Sequence, residues 1–119
     1  MASGKHVNWD GQIALVTGAS SGIGREIVRQ LAQAGATVFA SARREERLVQ
    51  LAAEFPDGRV VRIVADLAEA GTGARLVEQV LAQTGRLDLL VNNAGYGELV
   101  KTDEQTTEAV ARQIQVNFM

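Results

Sequence analysis

A glycine-rich stretch, TGASSGIG, occupies residues 17–24 and lies between two apolar runs. Glycines carry no Cβ, so an anion can approach the backbone closely at their positions. The second apolar run has helical spacing, and the first turn of a helix presents unpaired N–H groups and a partial positive charge. This arrangement predicts that main-chain amides bind a phosphate or diphosphate. The candidate residues are Gly18, Ser20, Ser21, Gly22, Ile23 and Gly24.

The same three glycines are also compatible with a tight turn that binds nothing. The lysine of a P-loop is absent, since Arg25 and Glu26 follow the last glycine. The spacing, Thr-Gly-x-x-x-Gly-x-Gly, also differs from the common G-x-G-x-x-G dinucleotide fingerprint. What favours binding is the context, a strand before the glycines and a helix after them. Thr17 is placed to tie this loop to a neighbouring strand end.

The elements that must position this loop alternate along the chain. Apolar, β-branched runs predict strands, and apolar residues at a period of 3.6 predict helices. Strands joined through single helices must be parallel, and strands that are apolar throughout are covered on both faces. The sequence therefore predicts an α/β fold, a Rossmann-like doubly wound parallel sheet over 12–119, preceded by a polar leader at 1–11. The predicted strands are 12–18, 36–42, 59–67 and 87–95, and the predicted helices are 23–35, 45–55, 73–85 and a fourth from about Asp103.

Composition narrows the classes of function. The 119 residues carry a net charge of −2 with scattered Lys and Arg, which argues against binding of nucleic acid or a membrane surface. There is no cysteine, which excludes disulfides, thiol nucleophiles and Cys-ligated metals, and the lone His6 suggests no metal site. No apolar run approaches the roughly 20 residues that span a bilayer, and the start lacks the apolar region of a signal peptide. We expect a cytoplasmic protein.

Four motifs resemble the short-chain dehydrogenase/reductase family. TGASSGIG at 17–24 matches its cofactor loop, and NNAG at 92–95 matches its second signature, at the end of the fourth strand. The pair 66–67 matches its adenine-contact position, and Asn117 matches its catalytic-tetrad asparagine. The motifs occur in the family's order and separations, and the resemblance covers about residues 9–119. It implies the strand order 3-2-1-4, a nicotinamide dinucleotide, and hydride transfer with a carbonyl or alcohol substrate.

The end of the second strand bears on the choice of dinucleotide. An acid there would hold the ribose 2′-OH of NAD, but Ser41, Ala42, Arg43 and Arg44 precede the first acid, Glu45. Arginine pairs with a 2′-phosphate that a carboxylate would repel. We therefore expect NADP rather than NAD, with Arg43 as the main contact and Ser41 or Arg44 assisting. The alternative is that both arginines form only the solvated first turn of a helix.

The family's remaining cofactor contacts fall at the ends of the third and fourth strands. The resemblance implies that Asp66 and the Leu67 amide contact adenine; the alternative for Asp66 is a helix cap or a turn. It also implies that Asn93 braces the central sheet, while Ala94 and Gly95 leave room for the ribose beside the nicotinamide. Buried amides at such a strand end require hydrogen-bond partners in either case.

The catalytic residues of the family are largely missing from this sequence. Asn117 occupies the position of the asparagine that positions a water in the proton relay, although a purely structural role is the alternative. The family's catalytic acid is a tyrosine in Tyr-x-x-x-Lys, which acts with a serine. The only tyrosine here is Tyr96, and Val100 stands four residues later. We expect little or no dehydrogenase activity from these residues alone.

Two interpretations follow: a truncated N-terminal portion of a short-chain oxidoreductase, or a half-domain that only binds a cofactor. Two other classes stay open. A methyltransferase-like fold would need an acid where Arg43 stands, and an interaction module would bind no cofactor. Without a fifth strand, residues 87–91 would form an apolar, unpaired edge, so we also expect self-association through the fourth strand.

Overall fold

A computed structural model of the chain describes residues 8–20, 22–66, 69–93 and 113–115. Short apolar runs form strands and amphipathic runs form helices in alternation, as the sequence predicts. The strands are β1 (Ile13–Thr17), β2 (Thr37–Ala42), β3 (Val60–Val64), β4 (Leu89–Asn92) and β5 (Gln113–Gln115). The helices are α1 (Gly22–Gln33), α2 (Glu45–Ala53) and α3 (Thr72–Thr84).

The strands form one sheet in the order β3-β2-β1-β4-β5, with every neighbouring pair parallel. The predicted doubly wound sheet and its order 3-2-1-4 are confirmed. β1 is the central strand of the sheet. Its last residue, Thr17, is level with Ser41 of β2 and with Asn92 of β4. The register thus places three strand ends side by side at the carboxyl edge of the sheet.

The prediction of a helix from Asp103 is wrong at residues 113–115, which form β5 and pair with β4. The expected unpaired edge of β4 is wrong for the same reason, since Val91 is paired with Ile114. A strand edge leaves a row of N–H and C=O groups without partners, and pairing satisfies them. The spacing of apolar residues in the sequence gives no information about this stabilisation by strand pairing. The rest of the predicted helix lies outside the described residues.

The alternation of side chains along the strands builds one apolar layer on each face of the sheet. In β1, Ala14 and Val16 face α1 and α2, whereas Leu15 faces α3. β4 divides in the same way, with Val91 in the first layer and Leu90 in the second. Both faces are therefore covered, as expected for strands that are apolar throughout.

Part of the predicted leader is attached to this framework. Trp9 is half-buried against the layer of α1 and α2, and its main-chain N–H donates to the carbonyl of Ala34 at 2.8 Å. Within the described ranges, no helix is long and apolar enough to cross a membrane.

Candidate functional site

The glycine loop leaves β1 through a left-handed residue. Gly18 has φ 65°, a conformation that side chains with a Cβ disfavour, and it turns the chain away from the strand direction. The next residue, Ala19, is fully buried, and its N–H donates to the carbonyl of Ser41 at 3.0 Å. The start of the loop is therefore fastened to the end of β2.

Gly24 is required by the close approach of α1 to the sheet. A Cβ at this buried position would meet the carbonyl oxygen of Gly18 and would lie 2.6 Å from Nδ2 of Asn93. The last glycine of the motif thus packs against its first glycine and against the second signature. Gly18, Gly24 and the distant Asn93 thus meet where the loop, α1 and the end of β4 converge.

Gly22 differs from Gly24, although both lie in the first turn of α1. Apart from its chain neighbours and the backbone of its own helix, no described residue has an atom within 4 Å of a Cβ built at Gly22, and Gly22 is exposed. Packing within the described residues therefore does not demand a glycine at this position. The missing side chain instead leaves open space before the amino end of α1, where the helix presents its positive partial charge.

A buried hydrogen-bond network joins the ends of β1 and β4. The fully buried Thr17 hydroxyl lies 3.1 Å from Oδ1 of Asn92, to which it donates, and accepts the main-chain N–H of Asn93 at 3.1 Å. The Asn93 side-chain amide then donates to the carbonyl of Gly18 at 3.3 Å. The amides at the end of β4 thus brace the sheet, and Thr17 ties the loop region to the neighbouring strand.

The end of β2 presents two exposed cations. Arg43 and Arg44 are exposed, and Arg44 is the N-cap residue of α2 without a side-chain capping bond. Within the described part of the chain neither guanidinium has a carboxylate partner, although Glu45 and Glu46 follow directly. Both are therefore open to an external anion.

Ser41 contributes to this corner through its backbone. Its relative exposure is 1%, and its buried Oγ has no hydrogen-bond partner among the residues described. Its carbonyl, by contrast, accepts the N–H of Ala19. The hydroxyl is enclosed, unlike the guanidinium groups of Arg43 and Arg44.

Asp66 lies two residues beyond β3, and the adjacent Ala65 N–H donates to the carbonyl of Ala42 at 3.0 Å. Helix α3 has Gly71 as its N-cap, so Asp66 does not cap it. The Asp66 carbonyl accepts the N–H of Glu69 at 3.1 Å. Asp66 is therefore placed at the same edge of the sheet as the two exposed arginines.

Several predicted site residues lie outside the described part of the chain. They are Ser21, Leu67, Ala94, Gly95 and Asn117. Ile23 lies in the first turn of α1 with a relative exposure of 45%, so its apolar side chain faces outward.

One residue of this region was missed by the sequence analysis. Nη1 of Arg47, in the first turn of α2, lies 3.5 Å from the carbonyl oxygen of Ser20. The signal for it was present, because Arg47 stands three residues after Arg44 and shares its side of the helix.

The chain is similar in sequence and in fold to known proteins. A model of the short chain dehydrogenase family matches residues 12–119. An uncharacterized oxidoreductase of Methylorubrum extorquens is 39% identical over 113 residues, which cover 92% of this chain and 46% of that protein. A short-chain dehydrogenase structure from Streptomyces avermitilis has a TM-score of 0.66 at 46% identity, covering 71% of this chain and 32% of that one.

A third relative is a cofactor complex. The Pseudomonas aeruginosa RhlG/NADP active-site complex has a TM-score of 0.67 at 41% identity, covering 76% of this chain and 37% of that one. The chain spans less than half the length of each of these three relatives.

Proposed function

Because the chain belongs to the short-chain dehydrogenase family, we propose that it binds a nicotinamide dinucleotide, NADP(H) in preference to NAD(H). The observation that carries this proposal is the open space at Gly22, before the amino end of α1. A diphosphate needs both close approach and unpaired N–H donors, and this position offers the two together. The residues present fit the cofactor at this point.

The preference for NADP(H) is supported by the corner at the end of β2. Arg43 and Arg44 are exposed, have no carboxylate partner among the described residues, and stand where an acid would select NAD(H). We assign the 2′-phosphate mainly to Arg43, with Arg44 assisting. The support for Ser41 is confined to its carbonyl, which holds the loop.

The other contacts are proposed by position in the family's motifs. Asp66 and the amide of Leu67 would hold the adenine, and Asn93, Ala94 and Gly95 would border the ribose beside the nicotinamide. Of these, Asn93 has the best support, because its amide braces the start of the glycine loop. The chain's residues thus bind and orient the dinucleotide across three strand ends.

When bound, the nicotinamide ring would give or take a hydride, with a carbonyl or alcohol as the small-molecule substrate. Asn117 would position a water for the proton relay. The sequence holds no Tyr-x-x-x-Lys, so no residue here is assigned the role of the acid that protonates the alkoxide. We propose that these 119 residues bind the cofactor with little or no turnover, as a cofactor-binding portion of an oxidoreductase or as a binding half-domain.

Calorimetric titration of the chain with NADPH, NADH and S-adenosylmethionine tests the proposal. NADPH should bind more tightly than NADH, and S-adenosylmethionine should not bind. Arg43→Ala should remove most of the preference for NADPH, whereas Arg62→Ala, an exposed arginine on β3 with the same change of charge, should not. Binding of S-adenosylmethionine alone, or of none of the three, would contradict the proposal.

A further inference from the structure

Arg47 connects α2 to the glycine loop across a separation of 27 residues. Its Nη1 lies 3.5 Å from the carbonyl oxygen of Ser20, and the side chain is exposed. Arg47 forms no ion pair within the described part of the chain, so no carboxylate there competes with the carbonyl for its guanidinium. At 3.5 Å this hydrogen bond is long, and the positive charge of the guanidinium adds to its attraction for the carbonyl oxygen.

A second hydrogen bond also holds the described part of the loop, and it comes from β2 rather than from α2. In this bond the Ala19 N–H donates to the Ser41 carbonyl. The two bonds hold consecutive residues of the loop, one through its N–H and one through its C=O. The Ser20 carbonyl belongs to the planar peptide unit that follows Ser20, so holding this oxygen restricts the orientation of that unit.

We propose that Arg47 is a positioning residue that holds the glycine loop in the conformation that binds the diphosphate. The inference rests on the proposed function. The diphosphate is common to NADP(H) and NAD(H), so Arg47 strengthens the binding of both cofactors by the same factor. Arg43 differs, because the 2′-phosphate assigned to it is present in NADP(H) alone.

The test compares the dissociation constants of NADP⁺ and NAD⁺ for four variants of the chain. Arg47→Ala should raise both constants by a similar factor of about five, the size expected for one hydrogen bond from a charged donor in a solvent-exposed setting. Arg47→Lys, which retains a cationic donor, should recover part of the loss. Arg43→Ala should raise the constant for NADP⁺ alone, and Arg62→Ala should change neither.

The thermal midpoint separates positioning from folding. Arg47 is exposed, so Arg47→Ala should keep the wild-type midpoint, and Arg47→Lys provides a second variant if it does not. Constants for Arg47→Ala equal to those of Arg62→Ala would overturn the inference. So would a loss confined to NADP⁺, which would make Arg47 a ligand of the 2′-phosphate. If the wild-type chain binds neither nucleotide, the proposed function itself fails, which is a separate result.

Discussion

The side-chain amide of Asn93 donates to the main-chain carbonyl of Gly18 at 3.3 Å, across 75 residues of chain. The bond joins the end of β4 to the first residue of the glycine loop. Gly24 packs against both partners, and a Cβ at this position would collide with each of them. The two signatures of the family therefore form a single contact, and its integrity can be tested.

Gly24→Ala should destabilise the fold. The added methyl group would meet the Gly18 carbonyl and Nδ2 of Asn93, and forcing one carbon into such packing costs roughly 1–3 kcal/mol. Urea unfolding at equilibrium measures the change. A Gly24→Ala chain as stable as the wild type would contradict the packing described.

Gly22→Ala is the matched control, with the same chemical change two residues earlier in the same helix. Among the described residues no packing neighbour comes within 4 Å of the added carbon, so the free energy of unfolding should not fall. The carbon would occupy the space proposed for the diphosphate, so the affinity for NADPH should fall several-fold, by titration. Unchanged affinity would count against a nucleotide at this position.

Thr17→Val should cost about 1–3 kcal/mol of stability, because it leaves buried partners without their hydrogen bonds. The Thr17 hydroxyl accepts the N–H of Asn93 and lies 3.1 Å from Oδ1 of Asn92. Thr17→Ser keeps the hydroxyl and removes one methyl, so it should retain more of the stability. A Thr17→Val chain as stable as the wild type, measured by urea unfolding, would show that these buried hydrogen bonds do not stabilise the fold.

Ser41→Ala should leave the stability unchanged or raise it by about 1 kcal/mol. The Ser41 hydroxyl is buried without a partner among the described residues, and a buried unsatisfied oxygen is unfavourable. The main-chain bond from Ala19 is kept, so the affinity for NADPH should also be unchanged. A clear loss of NADPH affinity would instead give the hydroxyl a part in binding the 2′-phosphate.

The ion pair between α1 and the end of α2 should make stability depend on pH. Nε and Nη2 of Arg29 donate to the two carboxylate oxygens of Glu54, each at 2.7 Å, and these bonds lower the pKa of Glu54. A lowered folded-state pKa stabilises the fold above the unfolded pKa of about 4.3, and the stabilisation is lost as the pH falls through the folded pKa. Because the pair is partly exposed, the effect should be small.

Glu54→Gln tests this dependence. Denaturation at pH 7 should show the variant less stable than the wild type, and the difference should shrink at pH 3 as Glu54 becomes protonated. Glu78→Gln, an exposed carboxylate on α3, serves as the control for the change of charge. A difference between Glu54→Gln and wild type that is the same at both pH values would contradict the role assigned to the pair.

The parts of the fold that follow from local pattern could be predicted. β1 and α1 are set by an apolar run, a glycine loop and an amphipathic run, all adjacent in sequence. The assignment of β5 failed because its stabilisation comes from β4, which is distant in sequence. Spacing within residues 113–115 carries no information about that edge.

In the candidate site, too, some features could be predicted from local sequence and others depend on residues that are distant in sequence. The glycines and Arg43 could be proposed from the sequence because their residue types suit phosphate. The difference between Gly22 and Gly24 could not, because it depends on which atoms approach from β4 and from the start of the loop. The contact of Arg47 with the Ser20 carbonyl was missed, because it depends on how α2 lies next to the glycine loop in the folded chain.

The level register of Thr17 with Ser41 and Asn92 has a consequence for engineering. Sliding β2 by a single residue would carry Arg43 and Arg44, which follow it, about 3.3 Å along the sheet, and would turn the side chains of β2 to the opposite face. Insertions within the crossover connections therefore endanger ligand recognition even when every recognised amino acid is retained. A test of the proposed cofactor preference should therefore exchange the side chains of Arg43 and Arg44 and leave the number of residues between the strands unchanged.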